Sequence, residues 1–361
     1  MSRFLQEMSE EADNLGVTMD EPICCLAERP TITVYKDLMK KLVKEKKVKM
    51  ILLIISKATG QYLYKDIKKY ADTELQILTQ CTIENEKTLT KRGFMNKITS
   101  QMCNKLGFPL WVVDRPKNFA SGKRVMILGA DVYHQRGRAS VAALIGTTNA
   151  DFSTYCSLSS VQPDRGQEIM NNITELVVEA IEEYQAKNKC LPELLVYYRD
   201  GVGETMLDLI TEQEINELKK KLTEKFKEQA PKLTFIVVTK RISKKIIDLT
   251  HTGKDMDARN PASGTIVQST IVKEANEFFM VAQKVTQGTA TPTRYQVILN
   301  DCGVPLESLI SLTYFQAFNY YGWTGAVKVP AVCQYAHKLA YHVGENYRQS
   351  NNFMKHNLYY L

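Results

Sequence analysis

Short apolar runs bounded by turn residues alternate along the chain with longer stretches whose apolar positions fall three and four apart. This is the pattern of strands and helices taking turns. Thr31–Lys49 is a lysine-rich, helix-like stretch leading into Met50–Ile55, six apolar residues whose length and composition predict a buried strand. After Thr59-Gly60 a helical pattern carries Tyr64, Ile67 and Lys68, and Leu75–Ile83 then reads as a strand. A helix from about Leu89 to Leu106 is ended by Gly107 as its C-cap. Residues 1–20 are polar and acidic with scattered apolar residues, and read as a linker fragment.

The run Asp114-Arg115-Pro116-Lys117-Asn118, followed by Ser121-Gly122-Lys123, marks the expected domain boundary, with residues 21–115 on one side and 116–361 on the other. Beyond it a second α/β pattern begins. Val125–Leu128 reads as a central strand, and Ser140–Ile145 and Thr154–Leu158 as further strands. From Gln167 to Ala186 a helix places Ile169, Ile173, Leu176, Val177, Ala180, Ile181 and Tyr184 on one face. Leu194–Tyr198 and Leu233–Thr239 are buried strands, and the pattern is helical again from Val332.

Composition narrows the class. At 361 residues, 44% hydrophobic and 24% charged, the chain has ample length for a sizeable core. No apolar run approaches the ~20 residues of a membrane span. Met1 is followed by Ser, Arg, Phe and acidic residues rather than a signal-peptide apolar region. The chain is therefore expected to be neither secreted nor membrane-bound, and to work in the cytoplasm or nucleus. Eight cysteines (24, 25, 81, 103, 156, 190, 302 and 333) form no CxxC pair and read as reduced thiols. A formal charge of +7 hints only mildly at a polyanionic partner.

Two apolar strands run straight into aspartates: VMILGAD ends at Asp131 and ELLVYYRD at Asp200. Strand ends are where α/β sheets present ligand groups, and Gly129, Gly201 and Gly203 allow close backbone approach. Two such carboxylates suit a divalent cation, which prefers oxygen ligands; each is equally readable as a solvated turn aspartate. Glu168, in the first turn of the predicted helix, is explained by the helix dipole alone. His337, in YAHKLAYHVG, is by default a packed core histidine. In the first half, Tyr64 and Lys68 share a helix face at i,i+4, as do Lys97, Gln101 and Lys105 on another helix. An aromatic ring, lysines and an amide suit a phosphate beside a base, although a solvated lysine face fits the same spacing. The basic runs Lys36–Lys49 and Lys240–Lys245 could contact a nucleic-acid backbone non-specifically.

Taken together, ILGADVYH, DRGQEI, VYYRDGVGE, VPAVCQYAHKLAYHVG and the final LYYL resemble the PIWI domain of Argonaute-family proteins, in the PIWI clade. NPASGTIV, PTRYQVILND and LTYFQAFNYYGW extend the resemblance over nearly the whole chain from about residue 20. It implies an α/β fold: a Rossmann-like MID domain over 21–115, then an RNase H-like PIWI domain over 116–361. It further implies a small-RNA-guided, metal-dependent endoribonuclease acting in gene or transposon silencing, with 5′-phosphate and 3′-hydroxyl products. The family's catalytic tetrad falls on Asp131, Glu168, Asp200 and His337, which would ligate Mg²⁺ or Mn²⁺. The alternative is a guide-loaded targeting module that cuts weakly or not at all and silences through recruited partners.

The resemblance also implies a guide 5′-phosphate pocket at Tyr64, Lys68, Gln80, Gln101 and Lys105, with Lys97 nearby on the same face. Gln101 stands where Ago-clade members have lysine. In the PIWI clade a metal ion offsets that lost charge, so Gln101 and the carboxylate of Leu361 are expected to lie at that ion. The partners implied are a 5′-phosphorylated guide RNA, a complementary target RNA and silencing-complex proteins, with no membrane. The family's N-terminal and PAZ domains have no counterpart in these residues, and Gln135 replaces the usual acidic residue after DxYH.

Overall fold

A computed structural model describes the chain except for residues 1, 85–91, 118, 166–169, 171, 204–205, 253–254, 273 and 350–352. The chain divides into two compact units. One comprises Met1–Leu110 with His342–Leu361, and the other Trp111–Tyr341.

In the first unit, helices α1 (Ser2–Asn14) and α2 (Ile32–Lys46) precede β1 (Met50–Ile55), α3 (Gly60–Lys69), β2 (Leu78–Ile83) and α4 (Arg92–Lys105). The unbroken apolar run of β1 follows from burial on both faces. Ile51, Leu53 and Ile55 pack with Met39, Leu63 and Ile67, while Leu52 and Ile54 pack with Phe4, Met8 and Met95. β1 pairs with β2 in parallel, Leu52 opposite Gln80. The expected strand over 75–83 starts only at Leu78. Tyr70–Leu75 instead continues α3 as a π-helical turn that ends at Gln76 in the left-handed region, φ 54°. Two further expectations are corrected here. Residues 1–20 are no linker, because α1 forms there and buries Phe4 and Met8 against α4 and β1. Residues 342–361 join the first unit rather than the second, and the division falls at Leu110 rather than Arg115.

The second unit is built on β3 (Val125–Tyr133), β4 (Ala139–Thr147), β5 (Tyr155–Arg165), α5 (Ile173–Asn188), β6 (Leu194–Asp200), α6 (Asn216–Phe226) and β7 (Lys232–Thr239). There follow β8 (Asp248–Thr252), β9 (Asp255–Arg259), β10 (Thr265–Val267), β11 (Glu277–Val281), β12 (Thr293–Asn300), α7 (Leu306–Gln316) and α8 (Ala331–Asn346). Eight strands form one mixed sheet in the order β10-β11-β12-β7-β6-β3-β4-β5, parallel only at β3·β6 and β6·β7. β6 is buried at all seven positions, as a central parallel strand covered on both faces should be. On one face Met126, Leu128, Leu195, Tyr197 and Phe235 pack with Val177 and Ile181 of α5. The Tyr197 and Phe235 rings meet edge-on at 4.7 Å. α8 meets the opposite face. All eight cysteines are free, and no helix among the described residues is long and apolar enough to cross a membrane.

Candidate functional site

The two aspartates at strand ends lie on neighbouring strands in register. β3 and β6 pair through Ala130↔Arg199, and Asp131 and Asp200 are the next residues on each. Alternation puts Ile127, Gly129 and Asp131 on one face of β3. At Gly129 a methyl group would sit 2.5 Å from the Val332 carbonyl carbon and 2.8 Å from the Cys333 nitrogen. Bare backbone is what lets α8 lie against the strand. Two residues along a strand advance about 6.6 Å and four along a helix about 6 Å, so Asp131 is matched by His337, one turn beyond Cys333. His337 Nδ1 stands 2.8 Å from Asp131 Oδ2.

Asp131 Oδ1 accepts from the Val132 N–H at 2.9 Å. Burial acts to raise this carboxyl, but the His337 hydrogen bond and the charges of Lys240, His337 and Arg199 outweigh it, holding it below the usual range. Asp200 has no solvent exposure, and burial followed by repulsion from Asp131 pushes it up to about 6 against the pull of Lys240. Gly201, at φ +88°, turns the chain away at the strand's end, where an added Cβ would lie 3.4 Å from Asp131 Oδ1.

Sequence reasoning left three nearby residues out of the site. Lys240, just past β7, brings Nζ to 2.6 Å from Asp200 Oδ2. Arg199, wholly buried, donates Nη1 to the Asp200 carbonyl at 2.5 Å and Nε to Glu214 at 3.1 Å. Glu214 also accepts the Met170 N–H at 3.1 Å. A lone arginine inside an apolar strand needs a buried anion, which is the signal that could have found Glu214.

The buried oxygens of Asp131 and Asp200, held beside a cationic group, fit the donor chemistry of a divalent cation. Among the described residues no three His, Cys, Asp or Glu side chains gather to hold a metal ion, and Glu168 lies outside them. Asp131 and His337 meet, while Asp200 is engaged by Lys240.

In the first unit, Lys68 on α3 and Lys105 at the end of α4 converge on one backbone oxygen. Lys68 Nζ donates to Thr79 O at 3.1 Å and Oγ1 at 2.9 Å, and Lys105 Nζ donates to Thr79 O at 2.9 Å. Neither makes an ion pair among the described residues, and burial, then the Lys68 charge, drives Lys105 well below its ordinary value. Gln80 donates to Gln101 Oε1 at 3.1 Å, while its own Oε1 is buried with no partner among the described residues. Tyr64 is part-exposed on α3, and Lys97 is exposed on α4 and takes no part in this cluster. Leu361 belongs to this unit, its N–H bonded to Leu358 O at 3.2 Å.

The model of the Piwi domain matches residues 50–348. The chain is 32% identical to Piwi-like protein 1 of Gallus gallus and 33% identical to Protein argonaute-3 of Drosophila melanogaster, in each case over 99% of its own length. It spans about 40% of the length of these relatives. The crystal structure of Drosophila Piwi superposes with a TM-score of 0.84 at 29% identity, covering 99% of this chain and 48% of that one. Kluyveromyces polysporus Argonaute, solved with a guide RNA, shares the fold at 19% identity and a TM-score of 0.86, over 100% of this chain and 48% of that one. The eight-stranded sheet is accordingly the RNase H-like sheet of a Piwi domain. A Piwi domain matched over most of the chain, relatives alike over 99% of its length, and a shared fold lead to one conclusion: this chain belongs to the Argonaute/PIWI family, in its PIWI clade.

Proposed function

We propose that the chain is a small-RNA-guided RNA-binding protein that cuts complementary RNA, using Asp131, Glu168, Asp200 and His337. The reading is carried by the 2.8 Å meeting of Asp131 and His337, 206 residues apart in sequence, beside a second buried carboxylate at the neighbouring strand end. These residues would hold Mg²⁺ or Mn²⁺, which when bound activates water and stabilises the leaving oxygen, giving 5′-phosphate and 3′-hydroxyl ends. When the imidazole is neutral, donation from Nδ1–H to the ionised Asp131 sets its tautomer and puts the lone pair on Nε2. Arg199, tied to Glu214, secures the backbone from which Asp200 projects.

The guide's 5′-phosphate is assigned to Lys68 and Lys105, with Tyr64, Gln80 and Gln101 beside it. Two buried lysines share a neutral carbonyl and make no ion pair among the described residues, and a phosphate supplies a direct anionic partner. Relatives whose names place them among Piwi and Argonaute proteins, and a guide RNA in one neighbouring structure, support the same reading.

The test is cleavage of a complementary RNA by guide-loaded protein in Mg²⁺. Asp200→Ala should abolish cutting, by at least about a thousandfold, while guide affinity stays within twofold of the parent. A variant that cuts at the parental rate would remove Asp200 from the chemistry. The second reading, a targeting module that silences through recruited partners, is favoured by the engagement of Asp200 with Lys240. Single-turnover cleavage by purified, loaded parent protein would exclude it.

A further inference from the structure

Lys240 belongs to the basic run Lys240–Lys245, which the proposed function leaves without a task. β7 pairs in parallel with β6, with Asp200 opposite Val238, so Lys240 lies two residues further along and on the same face. Its side chain is 30% exposed whereas that of Asp200 is fully buried, and its ammonium reaches to 2.6 Å from Oδ2. The Lys240 carbonyl accepts from Lys328 Nζ at 3.1 Å, which tethers the backbone.

We propose that Lys240 is a built-in stand-in for the divalent cation, occupying on Asp200 the oxygen that the metal takes and yielding it when the ion binds. The inference rests on the reading of Asp131 and Asp200 as metal ligands. Mg²⁺ binds carboxylate oxygen at about 2.0–2.1 Å and needs that lone pair for itself. An ammonium paired with the same oxygen at 2.6 Å claims the same space, and two cations there repel one another. The two states are therefore alternatives. The ion sees only the fraction of molecules in which Lys240 has left, which lowers its apparent affinity by that fraction. The flexible four-carbon stem permits the departure. By linkage, any polyanion that draws the Lys240 ammonium away tightens metal binding, so RNA and metal should favour one another.

The test measures Mn²⁺ binding to the full chain without nucleic acid, following free Mn²⁺ by electron paramagnetic resonance. Lys240→Met should bind Mn²⁺ about tenfold more tightly than the parent, because the competing cation is gone. Lys240→Arg, which keeps the charge, should stay close to parental affinity. Lys328→Met removes a neighbouring charge without freeing a carboxylate oxygen, and should change affinity less than twofold. Without metal, Lys240→Met should also melt at a lower temperature than the parent and recover on adding Mn²⁺; Lys240→Gln serves if Lys240→Met does not fold. Equal or weaker Mn²⁺ binding by the Lys240 variants overturns the stand-in role. Asp200→Asn binding Mn²⁺ as the parent does, or no binding by parent and Lys240→Met alike, overturns the metal reading beneath it.

Discussion

His342 is the residue whose protonation the fold most plainly resists. Its Nε2 lies 2.7 Å from Asp72 Oδ2, its Nδ1 3.2 Å from Asn346, and the rings of Tyr347 and Tyr359 meet it edge-on. Burial depresses its pKa, the bond to Asp72 opposes that, and the charges of Lys68 and Lys105 add to the depression. Below its unfolded value of 6.5 the unfolded chain binds a proton that the folded chain refuses, so this contribution is present above pH 6.5 and lost as pH falls. The urea midpoint should therefore drop between pH 7 and pH 5.5, and His342→Gln should flatten that slope. Equal slopes would show that another group sets it. At this scale the sequence was only partly legible. Asp131, Asp200 and His337 stand in quotable motifs, and the first and last of them meet. Lys240 could not be recognised without knowing that β6 and β7 are neighbours, since only then does a lysine just past one strand face an aspartate that ends the other.

Among elements, the contact of β3 with α8 does most to shape the site. Gly129→Ala would press a methyl group against the backbone of Val332 and Cys333, which cannot swing aside as a flexible side chain would. The expected cost is about 1–3 kcal/mol in urea unfolding, with further loss of cleavage as His337 is pushed off Asp131. Parental stability for this variant would mean that α8 yields freely. Strands announced by unbroken apolar runs, β1, β3, β6 and β7, were readable because burial on both faces leaves one kind of residue. β11 and β12 were not drawn from the sequence. A buried ion pair, Glu277 with Arg294 at 2.7 Å, puts charges where the pattern calls for apolar residues. The π-helical turn at Tyr70–Leu75 was equally unreadable, because its apolar spacing differs little from that of an α-helix.

At the scale of the whole chain, a net charge of +7 is modest, and recognition of a guide is expected to come from a few placed cations rather than from a diffuse field. Lys68→Ala should therefore weaken binding of a 5′-phosphorylated guide at least about tenfold while changing a 5′-hydroxyl guide less than threefold. An unchanged ratio of the two affinities would count against the pocket. What the sequence could not convey here is which distant stretches share a body. The helical pattern from Val332 onward carries no mark at Tyr341, where the units divide, because the division depends on contacts and not on periodicity. Those contacts include Asn357 donating to the Lys105 carbonyl at 2.9 Å and His342 bonded to Asp72. During synthesis, then, the unit begun first is finished last. Residues 1–110 must wait, with the seats for Asn357 and His342 unfilled, until residues 342–361 emerge, while the unit between them can close on its own schedule.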